Sequence, residues 1–226
     1  MANTKKSENT PIVEESLNNS EAFFFKHKNA IIGGVIAVLV IVVGFIAYRN
    51  MVQIPNEEKA STALAKGQNF FNESQFDKAL NGDGAGYPGF KSIASDYSST
   101  DAGNLAGLYA GLCYAQLGKW NEAVEYLEKF DTRGDNTISP AAEGALGNAY
   151  AHVNQLDKAV DHLKKAAKMA DSNSLSPIWL IQAGEILESQ GKKDEALKLY
   201  QEVKDKYFNS MQYQTIDKYI ERATTK

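Results

Sequence analysis

The run Gly82-Asp83-Gly84-Ala85-Gly86 has the glycine density at which backbone N–H groups can cradle a phosphate. It lacks the Gly-Lys-Ser/Thr that completes such a loop, and no strand pattern precedes it, so a plain loop is the expectation. Cys113 is the only thiol. It falls inside a helical pattern with no histidine placed to activate it, which predicts a buried, inert side chain. His27, His152 and His162 form no ligand pair at helical spacing. Glu185 and Glu188 share a helix face, where solvated carboxylates are the ordinary outcome. No HExxH, CxxC, GxSxG or paired-carboxylate pattern occurs. No catalytic set, metal site or cofactor is therefore expected, and the chain is not read as an enzyme. The net charge of −4 argues against nucleic acid as a partner. A lone cysteine excludes an intramolecular disulfide and decides no compartment.

What remains is a scaffold and its surface, and the scaffold is legible in Gly111 to Phe130. Gly111 is a small residue that lets a second helix approach, and Tyr114 fills the seam. Gly118 ends the first helix in the left-handed conformation, Asn121 is placed to cap the second, and Ala123 and Leu127 lie on its packed face. The same offsets recur. Gly67, Gly111, Gly147 and Gly184 each precede by twelve residues an alanine at 79, 123, 159 or 196. The slot three after the glycine reads Phe70, Tyr114, Tyr150 and Leu187, and the slot sixteen after it reads Leu127, Leu163 and Tyr200 in the last three copies. The last three alanines are 36 and 37 residues apart. These residues resemble the tetratricopeptide repeat, a helix–turn–helix unit of about 34 residues.

Residues 1–29 are polar and read as a cytoplasmic, disordered tail. Ala30 to Tyr48 is a run of 19 residues without a charge, long enough as a helix to cross a bilayer. Phe23-Phe24-Phe25 and Tyr48 flank it as an interfacial belt would. No small-x-small site or lipid-accepting cysteine follows, so an uncleaved anchor is expected rather than a signal peptide. Lys26 and Lys28 before the run, against Arg49 after it, bias the N-terminus towards the cytoplasm. Gly33 and Ala37 form one small-xxx-small pair. Residues 49–56 read as a linker, broken at Ile54-Pro55-Asn56, and 57–226 as the repeat domain.

Within that domain a helix is expected over 57–74. The glycines at 82, 84 and 86 with Pro88 interrupt its partner and displace it to about 88–98. Further helices are expected near 102–117, 120–131, 139–153, 156–170, 175–190 and 193–206, with Ser139 and Ser176 capping two of them ahead of Pro140 and Pro177. A last helix near 211–223 covers the end of the array. The fold class is all-α: one transmembrane helix, three clear repeats, one degenerate repeat and a capping helix.

The repeat resemblance implies that first helices line the inner face of a superhelix. That maps a candidate protein-binding groove onto Leu108, Tyr109, Leu112 and Gln116, then Gly144, Ala145, Asn148 and His152, then Gln182 and Glu185. Gly144 and Ala145 are expected to face open space. The lysine, asparagine and arginine clamp by which some such families hold a C-terminal carboxylate is matched only at Asn148. A closer resemblance lies in the short tail, single span and small repeat domain, with Phe23-Phe24-Phe25-Lys26-His27-Lys28-Asn29 before the span and Pro88-Gly89-Phe90…Tyr97 leading into Asn104-Leu105-Ala106. Together they are similar to the ancillary subunit family of the bacterial Sec translocon. The resemblance implies a periplasmic domain tethered to the inner membrane, acting as an adaptor or chaperone-like module. Its implied partners are translocon subunits, a periplasmic chaperone or emerging chains. A scaffold of another envelope complex, in outer-membrane assembly or cell division, is the alternative.

Overall fold

The computed structural model describes residues 10–225, all of whose regular structure is helical. The chain divides into two compact units, with the second beginning at Asn56. In the first unit α1 covers Thr10–Tyr48 and is followed by a π-helical segment, Arg49–Gln53. Residues 1–9 of the expected disordered tail lie outside the described residues. From residue 10 the tail is helical, not disordered: Pro11 sits in the first turn, where its missing N–H has no intrahelical role, and no glycine interrupts the run up to Gly33. The expected break at Ile54-Pro55 is also corrected, since α2 is Ile54–Asn72 and begins there. Proline cannot donate to the carbonyl one α-turn earlier and crowds it. The preceding turn widens instead, with Ile54 N–H reaching the Arg49 carbonyl.

In the second unit α2 is followed by α3 (Phe76–Asn81), α4 (Phe90–Asp96), α5 (Asp101–Gln116) and α6 (Trp120–Glu128). Then come α7 (Ile138–His152), α8 (Leu156–Ala170), α9 (Ser176–Ser189) and α10 (Lys193–Lys206). A 3₁₀ turn at Met211–Thr215 leads into α11 (Ile216–Thr224). The pairs α5/α6, α7/α8 and α9/α10 are the three regular repeats.

One turn geometry recurs four times. Ser74, Gly118, Asn154 and Gly191 have φ of 59°, 73°, 59° and 75°. The next N–H then bonds back to the aromatic slot: Gln75 to Phe70 at 2.8 Å, and Lys119 to Tyr114, Gln155 to Tyr150 and Lys192 to Leu187 at 2.9 Å each. This is the closing bond of a Schellman turn, and it absorbs a carbonyl that the helix end leaves without a partner. Lys119, not Asn121, is the N-cap of α6, and no side chain caps it. Asn121 lies one residue inside the helix because the turn bond already fixes where α6 begins.

The seams follow the glycines. A Cβ on Gly111 would lie 2.7 Å from Leu127 Cγ, one on Gly147 2.8 Å from Leu163 Cγ, and one on Gly184 2.6 Å from Tyr200 Cζ. Ala79, Ala123, Ala159 and Ala196 are fully buried at the crossings. In the first repeat the second helix is split rather than only displaced, and α3 survives as six residues before the glycine loop. The role of Leu127 passes to Phe90, whose Cζ would be 2.7 Å from a Cβ on Gly67. Asp83 closes the loop by accepting the N–H groups of Ala85 and Tyr87 at 2.8 and 2.9 Å. These backbone donors, with Tyr87 first, hold its carboxyl below the usual aspartate value. Two of the N–H groups that a phosphate could use are thus taken by the loop's own side chain.

Two helix starts differ from expectation. Asp135, rather than Ser139, gathers the N–H groups opening α7: Thr137 at 2.8 Å, Ile138 at 2.5 Å and Ser139 at 3.1 Å. The Ser139 hydroxyl donates to the same carboxylate at 2.6 Å. Ser176 lies inside α9 and donates to the Ala167 carbonyl at 2.7 Å, tying the end of α8 to the start of α9. Both serines are fully buried with Pro140 and Pro177 directly behind them, which favours hydroxyls that bond inward over hydroxyls that cap. At the far end, Ile216 and Ala223 of α11 are buried over the last pair, and Arg222 clamps Glu188.

Candidate peptide-binding face

Each first helix presents one stripe that is not consumed by its own second helix. The ten residues expected on that stripe do not all remain available. Leu108 is buried in the core. Tyr109 lies in the seam between the first two repeats, with Phe71 edge-on at 5.2 Å, Phe90 stacked at 5.1 Å and Gln68 Nε2 donating to its hydroxyl at 3.2 Å. The open space expected beside Gly144 is filled by the Trp179 ring, whose Cε2 would lie 2.6 Å from a Cβ there. Gly144 is small because the first helix of the next repeat crosses it. The legible signal was a tryptophan about one repeat period downstream. Ala145 is half-buried and packs against the core.

His152 reaches the turn edge of the array, where its ring stacks flat on Trp120 at 3.6 Å. Leu112 is half-buried and Gln116 exposed, while Asn148 and Gln182 are half-buried. Glu185 is exposed and lies 3.6 Å from the Arg222 guanidinium. Among the described residues the side chains of Gln116 and Asn148 make no hydrogen bond, and Gln182 Oε1 is buried without a partner. Counted from the seam glycines Gly111, Gly147 and Gly184, these three carboxamides stand at +5, +1 and −2, offsets of four and three residues that keep them on one helix face at successively earlier turns. A carboxamide offers a donor and an acceptor together, which matches a peptide group.

Other titratable groups are committed to the scaffold. Burial pushes the Cys113 thiol up to about 12, so it carries no thiolate at neutral pH. Burial and then the Glu128 carboxylate push the Tyr150 hydroxyl up to about 12. Burial raises the Glu188 carboxyl, but hydrogen bonds from Arg222 and Tyr200 outweigh it and leave it below the ordinary glutamate value. Glu143 is buried between His162 Nδ1 at 2.8 Å and Lys165 Nζ at 2.7 Å, joining α7 to α8.

These features define a tetratricopeptide-like helical repeat protein. The family model described as "T7SS, ESX-1 secretion system protein EccA1, N-terminal domain" matches residues 87–215, and the chain belongs to that family. The sequence has no match among curated proteins. Among solved structures, a kinesin light chain with nearly identical TPR-like repeats from Podospora anserina superposes with a TM-score of 0.57 at 14% identity, covering 74% of this chain and 86% of that one. MamA superposes with a TM-score of 0.52 at 20% identity, covering 70% and 91%. At these identities the likeness concerns the fold.

Proposed function

We propose that this chain is a membrane-tethered adaptor whose first-helix face binds an extended or helical segment of a partner protein. The observation that carries the reading is the buried, unpartnered Gln182 Oε1, with the unbonded side chains of Gln116 and Asn148 on the same face of the two preceding first helices. A buried amide oxygen without a partner is costly. A peptide N–H delivered by a ligand removes that cost, so the row favours peptide binding. Leu112 and Ala145 supply apolar contact beside it.

The tether is α1. Its apolar side chains from Ile32 to Ile46 are exposed, and it is long and apolar enough to cross a membrane. The lysines at 26 and 28 favour a cytoplasmic N-terminus, with the repeat domain on the outer face of the inner membrane. Two resemblances support a partner in protein export: the ancillary translocon family, and the secretion-system protein whose domain family this chain shares. The partner is accordingly a translocon subunit, a periplasmic chaperone or an emerging chain.

The test places a photo-crosslinking residue at Asn148 in the full chain, in membranes. Adducts with translocon subunits or exported chains are expected. They should disappear when Gln182 is replaced by tryptophan in the same chain. Adducts formed only from positions on the second helices would overturn the proposal. Protease added to spheroplasts should digest the repeat domain, and protection until lysis would reverse the orientation.

A further inference from the structure

The second helices carry an opening that the first-helix face does not explain. A cleft of about 280 Å³ lies between α4, α5 and α6. Ala94, Gly107 and Phe130 give it apolar lining, and Lys91, Tyr126 and Lys129 give it polar lining. No carboxylate lines it, although the chain carries a net charge of −4.

The next repeat shows what such a cleft holds when it is filled. Gly107, Tyr126 and Lys129 occupy the repeat positions of Glu143, His162 and Lys165. In that repeat the Glu143 carboxylate is buried, with His162 Nδ1 at 2.8 Å and Lys165 Nζ at 2.7 Å. One repeat further on the position is Leu180, also buried. Only the α5/α6 repeat has a glycine there, and only Ala94 Cβ, 3.9 Å away, would touch a Cβ added to it. The cation is in place and the anion is missing. Lys129 pairs instead with Glu125, a contact between side chains that are both more than half exposed. Such a pair is weakly held. Lys91 makes no ion pair among the described residues, and the Tyr126 hydroxyl makes no hydrogen bond.

We propose that this cleft is a second docking site, one that takes an acidic segment of a partner protein. A glutamate or aspartate side chain of the partner enters over Gly107 and takes the place that Glu143 fills internally one repeat later. Lys129 and the Tyr126 hydroxyl hold its carboxylate, Lys91 meets a neighbouring acidic residue, and Phe130 receives an apolar one. The mixed lining suits a peptide better than a free anion. The site is independent of the carboxamide row.

Fluorescence anisotropy on the full chain in detergent tests it. The probe is a fluorescein-labelled nonapeptide of glutamates and leucines around one phenylalanine, and its counterpart carries lysine for every glutamate. The acidic peptide should bind, and the basic one should bind at least tenfold more weakly. The K91E/K129E double variant should reverse that preference. Gly107→Glu should supply the carboxylate in cis, weaken the acidic peptide at least tenfold and leave the thermal melt unchanged or raised. N148W, on the other face, should bind the peptide as the parent does. No binding of the acidic peptide at millimolar concentration, equal binding of both peptides, or an unaffected K91E/K129E variant would each overturn the proposal. So would weakened binding by N148W, which would place the peptide on the first-helix face.

Discussion

Gly184→Ala is a test of the repeat register in which the commonest helix-stabilising exchange should act with the opposite sign. Gly184 lies inside α9, where alanine is favoured by about 0.8–1 kcal/mol over glycine. The new Cβ would lie 2.6 Å from Tyr200 Cζ and 2.9 Å from its hydroxyl oxygen, whereas ordinary contacts begin at 3.4 Å. The ring has nowhere to retreat. Tyr200 is fully buried, and its hydroxyl donates to Glu188 Oε2 at 2.9 Å. That carboxylate also accepts from Arg222 Nε at 3.0 Å, the bond that holds α11 onto α9. Overpacking costs about 1–3 kcal/mol, and displacing a hydrogen bond to a charged group about 1.5–3 kcal/mol. After subtracting the propensity gain, a net loss of about 3 kcal/mol is expected, or roughly 6–12 °C in Tm for a domain of this size. Gly107→Ala is the matched control. Its Cβ meets only Ala94 Cβ at 3.9 Å, so the propensity gain should survive and Tm should rise. Both variants are followed by circular dichroism at 222 nm on the fragment beginning at Asn56. Shifts of the same sign, or a Gly184→Ala melt at or above the parent's, would refute the packing argument.

The fragment itself should be soluble and helical, since its core closes within residues 56–226; a non-cooperative melt would count against that. Ala159→Arg should cost several kcal/mol, because Ala159 is fully buried at the α7/α8 crossing and a long cation there is both overpacked and desolvated. A melt within a degree or two of the parent would place the crossing elsewhere. Phe90→Ala should cost about 3–5 kcal/mol if Phe90 takes the place of the missing second-helix leucine, against little change if the glycine loop were a detached appendage. Asp135→Ala should cost about 0.5–2 kcal/mol at pH 7. The Ser139 hydroxyl, followed by backbone donors, holds the Asp135 carboxyl down to about 2. A depressed folded value stabilises above the unfolded value of about 3.9 and is lost as pH falls towards 2. The gap between variant and parent, measured by urea melts, should therefore narrow from pH 4 downward; a constant gap would mean that the carboxylate is not the cap.

Most of the array was legible because it rests on a few residue types whose physics is local. A small residue at each crossing recurs in all four copies, and an aromatic fills the seam slot in the first three. Glycine marks the turns at Gly118 and Gly191, whereas Ser74 and Asn154 adopt the same left-handed conformation without one. Caps were read less well. Asn121, Ser139 and Ser176 are good capping types, but backbone turn bonds and Asp135 fix those helix starts instead. Ile54-Pro55 looked like a break because a π-turn that accommodates proline has no sequence mark. The candidate face was half legible. Periodicity placed the stripe, but whether Gly144 is open depends on Trp179, a contact between repeats that no single-repeat pattern contains.

The split second helix of the first repeat shows where this architecture admits extra chain. Ala79 and Ala123 are 44 residues apart, against 36 and 37 for the later intervals. All the surplus falls after the crossing alanine, while the seven residues from each seam glycine to its left-handed turn residue are kept in all four copies. The tight turn is thus a fixed joint, and the outward connection is a splice point. A Cβ added to Gly84 or Gly86 would meet nothing within 4 Å. A reporter domain or epitope grafted at Gly84 should hang outside every seam, giving a handle on the full chain without touching either proposed docking face.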